Sequence, residues 1–102
     1  LGIAVDSSGS LYVSDTSGHT IRRVTSAGVV TTLAGLANTS GTADGVGTNA
    51  RFKNPYHMAL DAAAGTLYVT DGRDGLCAVV LFGPTVRIRV WRWRQELGRW
   101  TP

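Results

Sequence analysis

The chain has 102 residues, enough for one small domain, and its 13 Gly, 3 Pro and ordinary hydrophobic content exclude a collagenous or disordered polymer. No apolar run approaches the roughly 20 residues of a membrane-spanning helix. The single cysteine, Cys77, excludes an internal disulfide and a cysteine zinc cluster; a small apolar residue buried in a strand is its simplest role. The formal charge of +3 hides two regions. Residues 1–85 set five basic residues against six Asp, whereas residues 86–102 set five Arg against Glu96 and hold all three Trp. The chain opens at Leu1, inside a repeat and without a basic-then-apolar leader, so a segment of a longer protein is expected.

Ile3 to Asp6 forms a short strand candidate, and Ser7-Ser8-Gly9-Ser10 a turn in which Gly9 supplies a positive φ. Leu11 to Asp15, rich in β-formers, is the second strand. After the Asp15-Thr16-Ser17-Gly18 turn, Thr20 to Val24 alternates Ile21 and Arg23 against Arg22 and Val24 as a third strand. Ser26-Ala27-Gly28 turns the chain into a fourth, Val29 to Leu33. Four strands joined by tight turns predict an up-and-down antiparallel meander over residues 1–33.

Residues 34–55 are rich in Gly, Ser, Thr, Ala and Asn and read as a connection. Tight turns are expected around Ala43 to Gly47, with Ala43, Ala50 and Phe52 packed into one turn. A second unit occupies residues 56–82. Ala4, Val5 and Asp6 recur as Ala59, Leu60 and Asp61; Gly9, Leu11, Tyr12, Val13 and Asp15 recur as Gly65, Leu67, Tyr68, Val69 and Asp71. Its third strand, near Leu76 to Phe82, has lost the His-Thr-Ile-Arg-Arg pattern, and nothing in residues 83–102 echoes Gly28 to Leu33.

Gly2 to Asp6, Gly9, Leu11 to Asp15 and Gly18-His19-Thr20-Ile21-Arg22-Arg23-Val24 resemble an NHL repeat, and Leu33-Ala34-Gly35, Ala43 to Gly47 and Ala50 to Pro55 resemble its connecting segment. The resemblance covers residues 1–71 well, 72–82 poorly and 83–102 not at all. It implies an all-β fold: four-stranded antiparallel blades of an incomplete β-propeller, whose rings usually need about four to eight blades. Two blades cannot close a ring, so both lateral faces should expose packing side chains, among them Val5, Val13, Leu60 and Val69.

The candidate chemical residues read as fittings of the frame. His19 stands where the resemblance expects the motif's histidine, with turn carbonyls or the Asp15 carboxylate as partners. His57 has no motif around it, and two scattered histidines do not reproduce the metal set of the peptide-amidating lyase, a propeller enzyme of similar blade type. Asp6, Asp15, Asp61 and Asp71 occupy repeat-equivalent places, as turn-stabilising carboxylates would. With Gly9, Gly65 and Arg22 they make a structural motif, not a catalytic one. Asp44 and Asp74 lie in Gly-rich loops where calcium is conceivable, although EF-hand spacing is absent. Gly45-Val46-Gly47 lacks a following Lys-Ser/Thr, so a nucleotide loop is rejected. Asn38-Thr39-Ser40 matches a glycosylation sequon.

The Arg/Trp tail has three plain readings: an irregular fourth strand of the second blade, a domain-edge extension, or a frame-shifted terminus. Against them stands nucleic-acid or anionic-membrane contact through Arg87, Arg89, Trp91, Arg92, Trp93 and Arg94. The expected function is non-catalytic binding or scaffolding without cofactor or metal, through propeller loops that meet a protein or other ligand in a larger protein. Nucleic acid and membrane are not the expected partners. Two alternatives are a propeller hydrolase or lyase with its site on other blades, and RNA or anionic-surface binding by the tail. The remaining blades of the parent chain, or self-association, would cover the open faces, and the resemblance leans toward an extracellular or cell-surface setting.

Overall fold

The computed structural model describes residues 2–72 and 76–102. Its first sheet is the meander β1 (Ile3–Val5), β2 (Leu11–Asp15), β3 (Thr20–Val24) and β4 (Val30–Gly35), antiparallel and in chain order. The fourth strand runs two residues further than the sequence predicts, because Ala34 and Gly35 continue the pairing opposite Ile21 and Thr20. The bulge that makes this possible lies between Ile21 and Arg22 and leaves Leu33 without a partner in the ladder.

The second sheet contains β6 (Pro55–Asp61), β7 (Thr66–Asp71), β8 (Leu76–Leu81) and β9 (Arg87–Arg94), with β10 (Arg99–Thr101) and the two-residue β5 (Gly45–Val46) both paired to β9. The repeat read in the sequence is also a repeat of register. Ala4 pairs with Tyr12 as Ala59 pairs with Tyr68, and Asp15 pairs with Thr20 as Asp71 pairs with Leu76. Gly9 and Gly65 take φ of +86° and +63° at the same place in the two first hairpins, a conformation that costs residues with a Cβ more than it costs Gly.

The sheets pack face to face around one core. From the first sheet come Tyr12, Ile21 and Ala34; from the second come Leu67, Val69, Ala78, Val80 and Ile88, all buried. Because strand side chains alternate, the same face of each blade points the same way round the stack. Tyr12 is thus buried between the sheets against Phe82, ring centroids 5.4 Å apart, while its equivalent Tyr68 is 44% exposed on the far side. Conversely Val69 is fully buried while Val13 is only half-buried. This corrects the sequence expectation for Leu60 and Val69: both pack into the shared core rather than onto an open face. The open face of the second sheet is carried instead by Tyr68, Cys77, Val79 and Trp91. Ile3 and Val5, 59% and 57% exposed, mark the open face of the first.

The connection is ordered by that core. Phe52 and Ala50 are fully buried in it, whereas Ala43 is exposed and meets Arg51 only through a backbone bridge, so the expected three-residue cluster reduces to two. Gly35 explains how Phe52 fits. Its φ is +86°, and a Cβ there would lie 2.9 Å from the Phe52 ring and 2.5 Å from the His19 carbonyl oxygen. The same connection covers the outer edge of β9. Gly47 N–H donates to the Val86 carbonyl, β5 pairs with Arg87 and Ile88, the Asp44 carboxylate accepts from Val90 N–H at 2.7 Å, and β10 takes Arg92 to Arg94. Residues 87–94 therefore form the fourth strand of the second sheet, with Arg87 to Arg92 in unbroken register with β8.

Truncating Phe52→Ala is expected to lower unfolding free energy by about 3–5 kcal/mol, the range for large buried aromatics, read by urea denaturation. Asp44→Ala, which strands a backbone donor, should lower it by about 1–3 kcal/mol and increase hydrogen exchange at Val90 selectively.

Candidate functional site

The residues singled out in the sequence gather at the two ends of the seam between the sheets. At one end the first hairpins lie side by side. Asp6 accepts from Ser8 N–H (2.9 Å), the Ser8 hydroxyl (2.6 Å), Ser10 N–H (3.0 Å) and the Tyr12 hydroxyl (2.8 Å). Those donors, the Ser8 and Tyr12 hydroxyls foremost, hold its carboxyl down at about 2 from the usual 3.8. Burial, and after it the bond to Asp6, pushes the Tyr12 phenol up. Among the described residues Asp61, the repeat equivalent, accepts only from Ala64 N–H at 3.1 Å; its turn has alanines where the first hairpin has Ser7 and Ser8. A cleft of about 260 Å³ lies between the hairpins, with Asp6, Tyr12, Leu60 and Phe82 among its walls.

At the other end the segment Lys53 to Tyr56 straps the sheets together. The Ser14 hydroxyl donates to the Tyr56 carbonyl and the Thr16 hydroxyl to the Pro55 carbonyl (2.7 Å). His19, at φ +63°, places Nδ1 2.5 Å from the Lys53 carbonyl oxygen. The sequence leads one to expect a turn carbonyl or the Asp15 carboxylate as its partner; packing of the second blade brings the Lys53 carbonyl to Nδ1 instead. Asp15 accepts from Gly18 N–H at 3.2 Å. Asp71, fully buried, accepts from the Lys53 and Asn54 amides at 2.8–3.1 Å. Burial pushes its carboxyl above the ordinary value, and the two amides pull against that shift. Equivalent aspartates thus do different work: Asp15 closes its own turn, Asp71 anchors the strap.

Beside the strap opens a cleft of about 390 Å³ lined by Thr16, Asn54, Tyr56, His57, Thr70 and Gly72. Its polar groups stand on fixed backbone, with His57 N–H bonded to the Thr70 hydroxyl at 3.0 Å and the His57 ring edge-on to Tyr56 at 4.6 Å. Sequence reasoning singled out His57 but not Thr16, Asn54, Tyr56 or Thr70, which meet only through sheet packing. Among the described residues no three His, Cys, Asp or Glu side chains converge as metal ligands. Asp44 serves the Val90 amide, and Asp74 lies outside the described residues.

The family model for the NHL repeat matches residues 1–24, the span of β1 to β3 with its Asp6, Asp15, His19 and Arg22. Residues 1–24 are an NHL repeat, and the antiparallel all-β sheets are consistent with a fragment of an NHL-type propeller. A comparison with curated proteins finds no match. The match ends at the third strand of the first blade, although the second sheet reproduces the blade's strand order and register. Within the NHL repeat Arg22 points to the outer face and donates to the Thr32 hydroxyl at 2.9 Å, tying β3 to β4.

The Arg/Trp residues form a separate feature. Arg87, Arg89, Trp91 and Trp93 line one side of β9, as alternation predicts, while Ile88 and Val90 on the other side enter the core. Trp91 and Trp100, with Tyr68, Cys77 and Val79, enclose an apolar groove of about 340 Å³. Burial raises the Cys77 thiol.

The two carboxylates give opposite pH signatures. A carboxyl held low in the fold stabilises above its ordinary value and loses that contribution as pH falls toward about 2. Asp6→Asn should therefore flatten the loss of stability between about pH 4 and about pH 2. A raised carboxyl acts the other way: the stability of wild type relative to Asp71→Asn should fall as pH rises through the acid range toward neutral. Asp71→Ala, which also strands two amides, should lose about 1–3 kcal/mol at neutral pH; thermal melts across the pH range read all three variants.

Proposed function

We propose that the chain is a non-catalytic binding segment of an NHL-type propeller, presenting the polar cleft at the strap end of the blade seam to a protein or other ligand. The observation that carries this reading is the form of that cleft. Part-buried hydrogen bonds of Ser14, Thr16 and Asp71 hold the 53–56 backbone in place, so Asn54, Tyr56 and His57 stand exposed on a surface ordered before any partner arrives. Short connecting segments on a rigid β scaffold are where binding residues concentrate. An exposed tyrosine beside a histidine offers apolar area with polar tips, the kind of anchor that dominates interfaces.

The test is site-specific photo-crosslinking in the intact parent protein in its own cells. A benzoylphenylalanine at Tyr56 is expected to give one discrete adduct, and the same probe at Val29, in the remote third turn of the first blade, none. His57→Ala should reduce that adduct several-fold while the melting temperature stays unchanged. An adduct at both positions, or at neither, overturns the reading. So does substrate turnover by the parent that Tyr56→Ala and His57→Ala both abolish.

A further inference from the structure

We infer that the β9–β10 hairpin is a membrane-surface anchor, seating its indoles in the interface of a bilayer rich in anionic phospholipid. The hairpin is built by β10 pairing with Arg92, Trp93 and Arg94 at the end of β9. Its strands pair Trp93 with Trp100 and Arg94 with Arg99, so the indoles share one face of the ribbon and the guanidiniums the other. Leu97, 53% exposed, sits in the tip turn, and Trp93 and Trp100 are 43% and 44% exposed. Among the described residues the only ion pair on the ribbon joins Arg94 to Glu96, between exposed groups. Like charges directly opposed across two strands destabilise a hairpin, so Arg94 and Arg99, with Arg92 beside them, favour an anionic surface that neutralises them.

A further blade does not suit this face. By ladder register Trp91 stands where the first sheet has Ala34, and Arg92 where it has Gly35. In the first sheet those two small residues let Phe52 seat against the blade. A blade docking on the second sheet in the same way would meet an indole at that point.

A single nucleic-acid strand fits less well than lipid. Trp93 and Trp100 meet edge to face, centroids 5.7 Å apart at 65°, and the Arg89 guanidinium lies 5.7 Å from the Trp91 ring centre, over its face. Open flat indole faces, which base stacking requires, are thereby reduced. Within the hairpin Arg92, Arg94 and Arg99 also stand on the face opposite Trp93 and Trp100. In a bilayer interface the opposition is no obstacle, because aromatic rings occupy the headgroup boundary while long arginine side chains reach around to phosphates.

The test uses the full chain with phosphatidylcholine vesicles, with and without phosphatidylserine, by co-sedimentation and tryptophan emission. Binding with a blue shift is expected only when phosphatidylserine is present, weakening as salt is raised. The triple change Arg92→Gln, Arg94→Gln and Arg99→Gln should cut partitioning about 100-fold, and Trp93→Ala with Trp100→Ala about tenfold or more. Leu97→Asp, at an exposed turn, should weaken binding without altering the circular-dichroism spectrum, which separates loss of the anchor from loss of the fold. No partitioning, partitioning without a blue shift, or partitioning indifferent to Leu97→Asp overturns the inference. Tighter binding to an oligouridine strand than to the vesicles overturns it in favour of nucleic acid.

Discussion

The seating of Phe52 between the two sheets is the constraint on which the rest of the molecule depends. A four-stranded meander of this size has one face to bury and too little material of its own to bury it, so two such sheets must share a core. Phe52 comes from the connection, not from either meander, and reaches the core only because Gly35 leaves room for its ring. Once it is in place, the chain on both sides is committed. Upstream, β5 and Asp44 lie against the outer edge of β9; downstream, Lys53 to Tyr56 strap the seam.

The strap shows how a repeat acquires local differences without changing its frame. Asp15 and Asp71 occupy equivalent positions in the register, yet one binds its own turn and the other two amides of the preceding connection. The difference follows from direction. The connection of residues 34–55 enters beside the second blade and brings the Lys53 and Asn54 amides to Asp71, and buried amides need an acceptor. His19 obeys the same logic, finding the Lys53 carbonyl rather than a group in its own turn. The cleft at this end is a by-product of these bonds: rigid backbone, exposed side chains, a seam between two sheets.

The second sheet also explains why its last strand looks foreign. In a blade built like the first, small residues in the fourth strand let a connecting phenylalanine approach. With Trp91 and Arg92 in those places and no bulge in the ladder, β9 keeps its inner face apolar through Ile88 and Val90 and gives its outer face to Arg and Trp. Edge coverage by β5 and β10 satisfies backbone groups that would otherwise invite pairing with another chain.

The amino-acid sequence by itself determined the strands of the first blade, the two Gly-containing hairpins, the partial second copy and the NHL repeat of residues 1–24, because those depend on alternation, turn chemistry and a local motif. It placed Asp6 correctly against its own hairpin, since that carboxylate binds donors two to six residues away. Tertiary structure alone decided which face of each sheet is buried. Val13 and Val69 are the same residue type at the same register position, and only the order of the blades puts one half in water and the other in the core. It also decided the partners of His19, Asp44 and Asp71, which lie 17 to 46 positions away, and the membership of the polar cleft. The status of residues 87–94 belongs with these. Their composition follows no blade pattern, and they become a strand because β8 offers an open edge on one side and the connection covers the other.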